Sequence, residues 1–129
     1  MELPARFSDL DALGHVNNAV YLSYLEEARV AYLRDVLGVT DARRVEFILA
    51  RVEIDYRSPV VLGETVRVAV RVTRIGGASF DAEYELTDKA SGRLVAQAKT
   101  VQVWYDFKAS KVSRVPAEVA AAMRRFDSL

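Results

Sequence analysis

No cysteine occurs among the 129 residues, which excludes a thiol nucleophile and a disulfide framework and fits a reducing compartment. Neither sign of charge is in excess. Eighteen Lys and Arg face eighteen Asp and Glu, and this balance argues against nucleic acid as a partner, because phosphate backbones are bound by a basic surplus. Histidine occurs once, at His15, and with only scattered acids beside it no metal-ligand cluster is expected. Long apolar runs are missing too. Glu2, Arg6, Asp9 and Asp11 interrupt the first twenty residues, leaving no stretch for a secretory signal, and nothing approaches the roughly 20 uncharged residues of a membrane-spanning helix. A soluble, cytoplasmic protein without a membrane partner is expected.

With 51% hydrophobic and 28% charged residues, the composition is that of an ordinary globular chain. This length buries a core without staples, and no repeat or linker divides it, so residues 1–129 are read as one domain. Residues 3 to 8 predict a short strand, and 9 to 17 a polar turn containing Gly14. The one long helical signal runs from about Asn18 to Leu37. There Tyr21, Tyr24, Leu25, Ala28, Ala31 and Tyr32 recur at three- and four-residue spacing. Asn17 or Asn18 suits an N-cap and Gly38 a C-terminal stop. Val20, Leu22, Val30, Leu33 and Val36 flank the stripe, so the helix is expected to be buried over most of its surface.

From about Arg44 to Phe107 the pattern changes to a period of two. Ile48, Ala50, Val52, Ile54 and Tyr56 alternate with Leu49, Arg51, Glu53, Asp55 and Arg57. Val66, Val68, Val70 and Val72 form a second series, and Phe80, Ala82, Tyr84 and Leu86 a third. Each is interleaved with polar or charged residues, as in antiparallel strands with one wet face. Ser58-Pro59, Gly63, Gly76-Gly77 and Ser91-Gly92 separate the runs. The fourth run, Leu94 to Phe107, carries the only tryptophan, Trp104, and aligns Val101, Val103, Tyr105 and Phe107 on one face. Residues 117 to 127 predict a terminal helix with Pro116 near its first position. The fold class is therefore α+β: one long helix covered by an antiparallel sheet of four or five strands that curls around it. No β-α-β alternation and no glycine-rich phosphate loop is present.

Chemistry-bearing residues concentrate between Arg6 and Arg29. Asp9, Asp11, His15, Asn17 and Asn18 sit directly before a helix N-terminus, where unpaired N–H groups and a partial positive charge can polarise a carbonyl oxygen. A nearby carboxylate can attack the carbonyl carbon or activate a water. The same residues also read as caps, dipole partners and a structural histidine. Tyr21 and Tyr24 read as core, and Glu26 with Arg29 as a surface ion pair. Composition and spacing leave both readings open.

The string R-F-S-D-L-D-A-L-G-H-V-N-N-A-V-Y-L-S-Y-L-E-E-A-R, Arg6 to Arg29, resembles the signature of the 4-hydroxybenzoyl-CoA thioesterase superfamily. The run D-Y-R-S-P-V-V-L-G-E, Asp55 to Glu64, is similar to that family's second strand and turn. The resemblance implies the hotdog fold, a long central helix wrapped by a curved antiparallel sheet of about five strands, and acyl-CoA thioester hydrolysis. It places the catalytic carboxylate, nucleophile or general base, at Asp11. It gives Asn18 the backbone N–H that faces the thioester oxygen, Gly14 the close passage of the turn, and His15 an orienting role. Asp9 and Arg6 support the turn, Glu26 matches a structural helix glutamate, and Asn17, Tyr21 and Tyr24 would line the substrate cleft.

The resemblance also implies a homodimer or homotetramer with the acyl cleft between subunits, in keeping with an unpaired sheet edge. Arg57 with Ser58, or Lys108 and Lys111, are candidates for meeting the CoA phosphates. Each also reads as an ordinary solvated group. No cofactor is expected, coenzyme A being part of the substrate. Hydration is disfavoured, because hotdog hydratases place their histidine five residues after the acid, whereas His15 follows Asp11 by four and Asp9 by six. Plant-type acyl-carrier-protein thioesterases carry asparagine where this chain has Leu13 and usually hold two hotdog units. An acyl-carrier-protein substrate and a non-catalytic acyl-CoA binding module remain the alternatives.

Overall fold

In the computed structural model, which describes residues 1–38 and 46–129, the elements follow in the order β1 (Glu2–Pro4), α1 (Val20–Leu37), β2 (Phe47–Tyr56), β3 (Thr65–Ile75), β4 (Ser79–Asp88), β5 (Leu94–Asp106), β6 (Lys111–Val112) and α2 (Ala117–Asp127). The strands form one antiparallel sheet in the order β1-β3-β4-β5-β2, with β6 pairing with β5. This is the α+β hotdog architecture, a long helix against a curved sheet. Arg44, the expected start of the strand region, lies outside the described residues.

Two clusters fill the space between α1 and the sheet. Tyr21, Tyr24, Leu25 and Ala28 pack on Val66, Val68, Ala82, Tyr84, Leu86, Val95, Ala96 and Ala98. Farther along α1, Tyr32 and Leu33 meet Val72, Phe80, Trp104 and Met123 of α2. A fully buried Leu such as Leu25 contributes about 1.5–3 kcal/mol. Asp127 locks the second cluster, accepting from the Tyr32 hydroxyl at 2.6 Å and the Val72 N–H at 3.0 Å.

Several local expectations change in three dimensions. The segment expected as a strand over 3 to 8 is strand only at Glu2–Pro4, and Phe7–Asp9 forms a single 3-10 turn. The helix begins at Val20 rather than Asn18, and no side chain caps it. Asn17 spends its side-chain oxygen one step earlier, on the Ala19 N–H at 2.9 Å, closing an Asx turn. At the other end Gly38 stops the helix at φ 67°, its N–H bonding to the Arg34 carbonyl. Only one face of α1 is buried, and Leu22 and Val30 are 39% and 49% exposed.

The alternation expected for β2 fails at its first residues. A bulge between Leu49 and Arg51 inserts one residue, and with a period of two this exchanges the faces. Phe47 therefore faces inward with its partner Trp104, whereas Ile48, opposite Val103, is exposed. Val52 and Ile54 keep the predicted inner face and pack on the core. On β5 the inner face is Ala96, Ala98, Thr100, Gln102 and Trp104, all buried, so Val101, Val103 and Tyr105 face outward. Of the two polar members, Thr100 pairs with the Tyr84 hydroxyl at 3.0 Å and the Gln102 amide NH2 donates to Thr100, while Gln102 Oε1 meets no donor among the described residues.

Candidate functional site

The loop joining β1 to α1 folds back on itself. Leu10 bridges Val16, the Asp11 N–H donates to the His15 carbonyl at 2.9 Å, and the Asn17 N–H donates to the Asp9 carbonyl at 2.9 Å. At the tip, the Leu13 N–H donates to Asp11 Oδ1 at 2.9 Å and the Gly14 N–H to the Asp11 carbonyl at 3.0 Å. Gly14 sits at φ 79°, a left-handed conformation that glycine adopts without penalty. The loop leans on the segment after β2, where His15 bridges Val61 and the Val16 N–H reaches the Val60 carbonyl at 2.8 Å.

Asp9 anchors this loop from below. Its carboxylate is 2% exposed and accepts from the Arg6 side chain at 2.9 Å, the Arg6 N–H at 2.9 Å and the Tyr24 hydroxyl at 3.2 Å. The Arg6 guanidinium, together with those other donors, holds the carboxyl below its ordinary range despite the opposing effect of burial. Burial, then the negative charge of Asp9, pushes the Tyr24 hydroxyl up. Tyr24 is therefore a core residue and a loop anchor. Tyr21 is buried too, its ring edge-on to Tyr56 with centroids 5.0 Å apart, and burial raises its hydroxyl as well.

Three consecutive N–H groups stand at the helix entrance. Those of Asn17 and Ala19 are spent on the Asp9 carbonyl and on Asn17 Oδ1. The N–H of Asn18, between them, meets no acceptor among the described residues. The second carboxylate oxygen of Asp11 is likewise without a donor among them. This arrangement supplies a free N–H dipole and a free carboxylate oxygen on one short loop, the two elements that acyl transfer asks of a site.

Other expected residues lie farther out. Arg57 and Ser58 directly follow β2, both bonding through N–H to the Val95 carbonyl. The Arg57 guanidinium reaches Gln97 at 3.3 Å and Asp55 at 3.8 Å. The Ser58 hydroxyl donates to the Leu94 carbonyl at 2.9 Å and accepts from Arg93 at 3.0 Å. Arg93, which no sequence motif singles out, also pairs with Glu64 at 2.8 Å and so fastens the segment under His15. Lys108 and Lys111 are exposed beyond the opposite end of β5, far along the strand from Ser58.

The expected cleft at the helix N-terminus is not enclosed by this chain alone. A broad concavity of about 730 Å³ lies on the outer face of the sheet among residues such as Glu53, Asp55, Arg71, Glu83 and Lys99. Charges there are paired across strands, Arg71 with Glu83 at 3.0 Å and Lys99 with Glu83 at 3.8 Å, and the catalytic candidates do not reach it. A second void, about 10 Å³, lies between α1 and the sheet beside Arg29, Phe47 and Phe80 and has room for about one water. Asp11, His15 and Asn18 line neither. Among the described residues no three His, Asp or Glu side chains converge as metal ligands, and no helix is long and apolar enough to cross a membrane.

Comparison with known proteins matches residues 5–123 to the family model described as Thioesterase-like superfamily. The chain is 31% identical over 120 residues to the long-chain acyl-CoA thioesterase FadM of Escherichia coli K12, covering 92% of this chain and 91% of that protein. It is 27% identical over 129 residues to the chloroplastic acyl-acyl carrier protein thioesterase ATL3 of Arabidopsis thaliana, covering 98% of this chain and 67% of that one. Among solved structures, a thioesterase from Thermus thermophilus complexed with coenzyme A and Zn superposes with a TM-score of 0.89 at 34% identity, over 100% of this chain and 94% of the other.

Proposed function

The chain belongs to the Thioesterase-like superfamily and is a thioester hydrolase, and we propose that it cleaves acyl-CoA thioesters at the loop joining Asp9 to Asn18. The observation that carries this reading is the unspent Asn18 N–H at the start of α1, flanked by two spent neighbours. A donor held in that way can meet the oxygen on which negative charge grows, without reorganising during the reaction.

Asp11 supplies the other half. Its Oδ1 holds the loop through Leu13, leaving Oδ2 for chemistry. Oδ2 attacks the carbonyl carbon, the C–O bond forms, the C–S bond breaks and CoA leaves as thiolate. Water then hydrolyses the mixed anhydride to the free acid and regenerates the carboxylate. In the general-base variant Oδ2 takes a proton from water, whose oxygen attacks directly. His15, half-buried on the facing arm of the loop, orients the thioester or the water.

A second copy of the chain completes the cleft. β2 pairs only with β5 among the described residues, so its other edge is open. Beside that edge Ile48 and Leu49 are exposed. An open edge with apolar flanks favours pairing with another chain, and a homodimer or larger assembly follows.

Release of free thiol across a panel of acyl-CoA esters tests the reading. Turnover with a preference among acyl groups is expected, and binding without turnover overturns it in favour of a non-catalytic module. Similarity to the Arabidopsis protein favours one further comparison, the same acyl groups carried on acyl carrier protein. Faster release there reassigns the carrier but keeps the chemistry.

A further inference from the structure

Tyr56, the last residue of β2, donates its hydroxyl proton to the Asn18 carbonyl at 2.8 Å, across 38 positions of sequence. Its ring is wedged edge-on against buried Tyr21, and its backbone stands opposite Ala96. The hydroxyl is therefore carried on a braced side chain.

Two consecutive peptide groups meet at this point, and their attachments differ. The peptide between Asn17 and Asn18 is held by its carbonyl, which accepts from the Val20 N–H at 2.9 Å, while its N–H is the unspent donor. The peptide between Asn18 and Ala19 is held at both ends, its N–H by Asn17 Oδ1 and its carbonyl by Tyr56. The Asn18 carbonyl would otherwise lack its helical partner, because the Leu22 N–H turns to the Ala19 carbonyl at 3.2 Å. The hydroxyl of Tyr56 thus closes a gap in the first turn, one peptide from the free donor.

We infer that Tyr56 is a positioning residue. It fixes the plane of the peptide after Asn18, and through the Asn18 backbone it fixes the direction of the Asn18 N–H toward the thioester oxygen. The inference rests on the proposed role of that N–H. A donor aimed at developing charge acts chiefly in the transition state, so losing its mount lowers kcat more than it raises KM.

Tyr56→Phe removes the hydroxyl and keeps the wedged ring, and Asp11→Asn is assayed beside it. Expected for Tyr56→Phe are a kcat lower by about tenfold, KM within about twofold, an unchanged melting temperature, and faster exchange of the Ala19 amide proton. Wild-type kcat in Tyr56→Phe together with an inactive Asp11→Asn overturns the positioning role alone. Full turnover by Asp11→Asn overturns the site reading beneath it. A kcat loss accompanied by an equal rise in KM or by a large fall in melting temperature marks an ordinary packing role and also overturns the inference.

Discussion

The Tyr24 hydroxyl donates to the carboxylate of Asp9 at 3.2 Å, and this bond ties the second turn of α1 to the floor of the Asp11 loop. Asp9 is buried, so its three donors decide whether its charge is tolerated. A buried acceptor left with the wrong partner costs about 1–3 kcal/mol.

Asp9→Asn therefore lowers unfolding free energy by about that amount at neutral pH, because an amide NH2 then faces groups that all donate. The pH dependence has a definite sign. The native carboxyl lies below its ordinary range, chiefly through Arg6. Its stabilisation is present in full above the unfolded value of about 4 and is lost as pH falls through the lowered native value. Urea titrations of both proteins should differ at pH 7 and converge in strong acid. A difference that grows on acidification contradicts the assignment.

Gly14 occupies a left-handed conformation with nothing within 4 Å of the place a Cβ would take. Gly14→Ala meets no clash, and its cost is that of the backbone alone, about 1–2 kcal/mol. Gly14→Asn should cost less, since asparagine tolerates this region. Denaturant midpoints of the two variants check the order.

Much of this architecture is legible along the chain, and the rest fails for identifiable reasons. Val66, Val68 and Val72 of β3 and Phe80, Ala82, Tyr84 and Leu86 of β4 are buried as their alternation demands, and Gly38 ends α1 where a left-handed stop is needed. The bulge at Ala50 is not legible. It adds one residue without turn chemistry, and only the partner strand shows that Ile48 has changed faces. Asn17 is readable as a polar residue at the helix entrance, yet whether its side chain caps the helix or closes the preceding turn depends on one dihedral step. Contacts between distant positions leave no local trace, as with Tyr56 on Asn18, Arg93 on Glu64, or Tyr32 on Asp127. Each of those follows from register and packing set elsewhere.

Because the outer edge of β2 is open among the described residues, activity is expected to depend on concentration. Sedimentation should show a dimer at least, and Leu49→Lys, which places a charge beside the edge, should shift it toward monomer. Specific activity should fall with the monomer fraction. A monomeric Leu49→Lys protein with undiminished kcat would show that one chain carries a complete site.

Turnover of Asp11→Asn on the acyl-CoA that the wild type cleaves best is the most direct measurement of all. Asparagine retains the oxygen that accepts from Leu13, so the loop and the melting temperature should persist, while the base or nucleophile is gone. A kcat lower by a factor on the order of 10² to 10⁴ is expected. Wild-type turnover by this variant would place the chemistry on another residue.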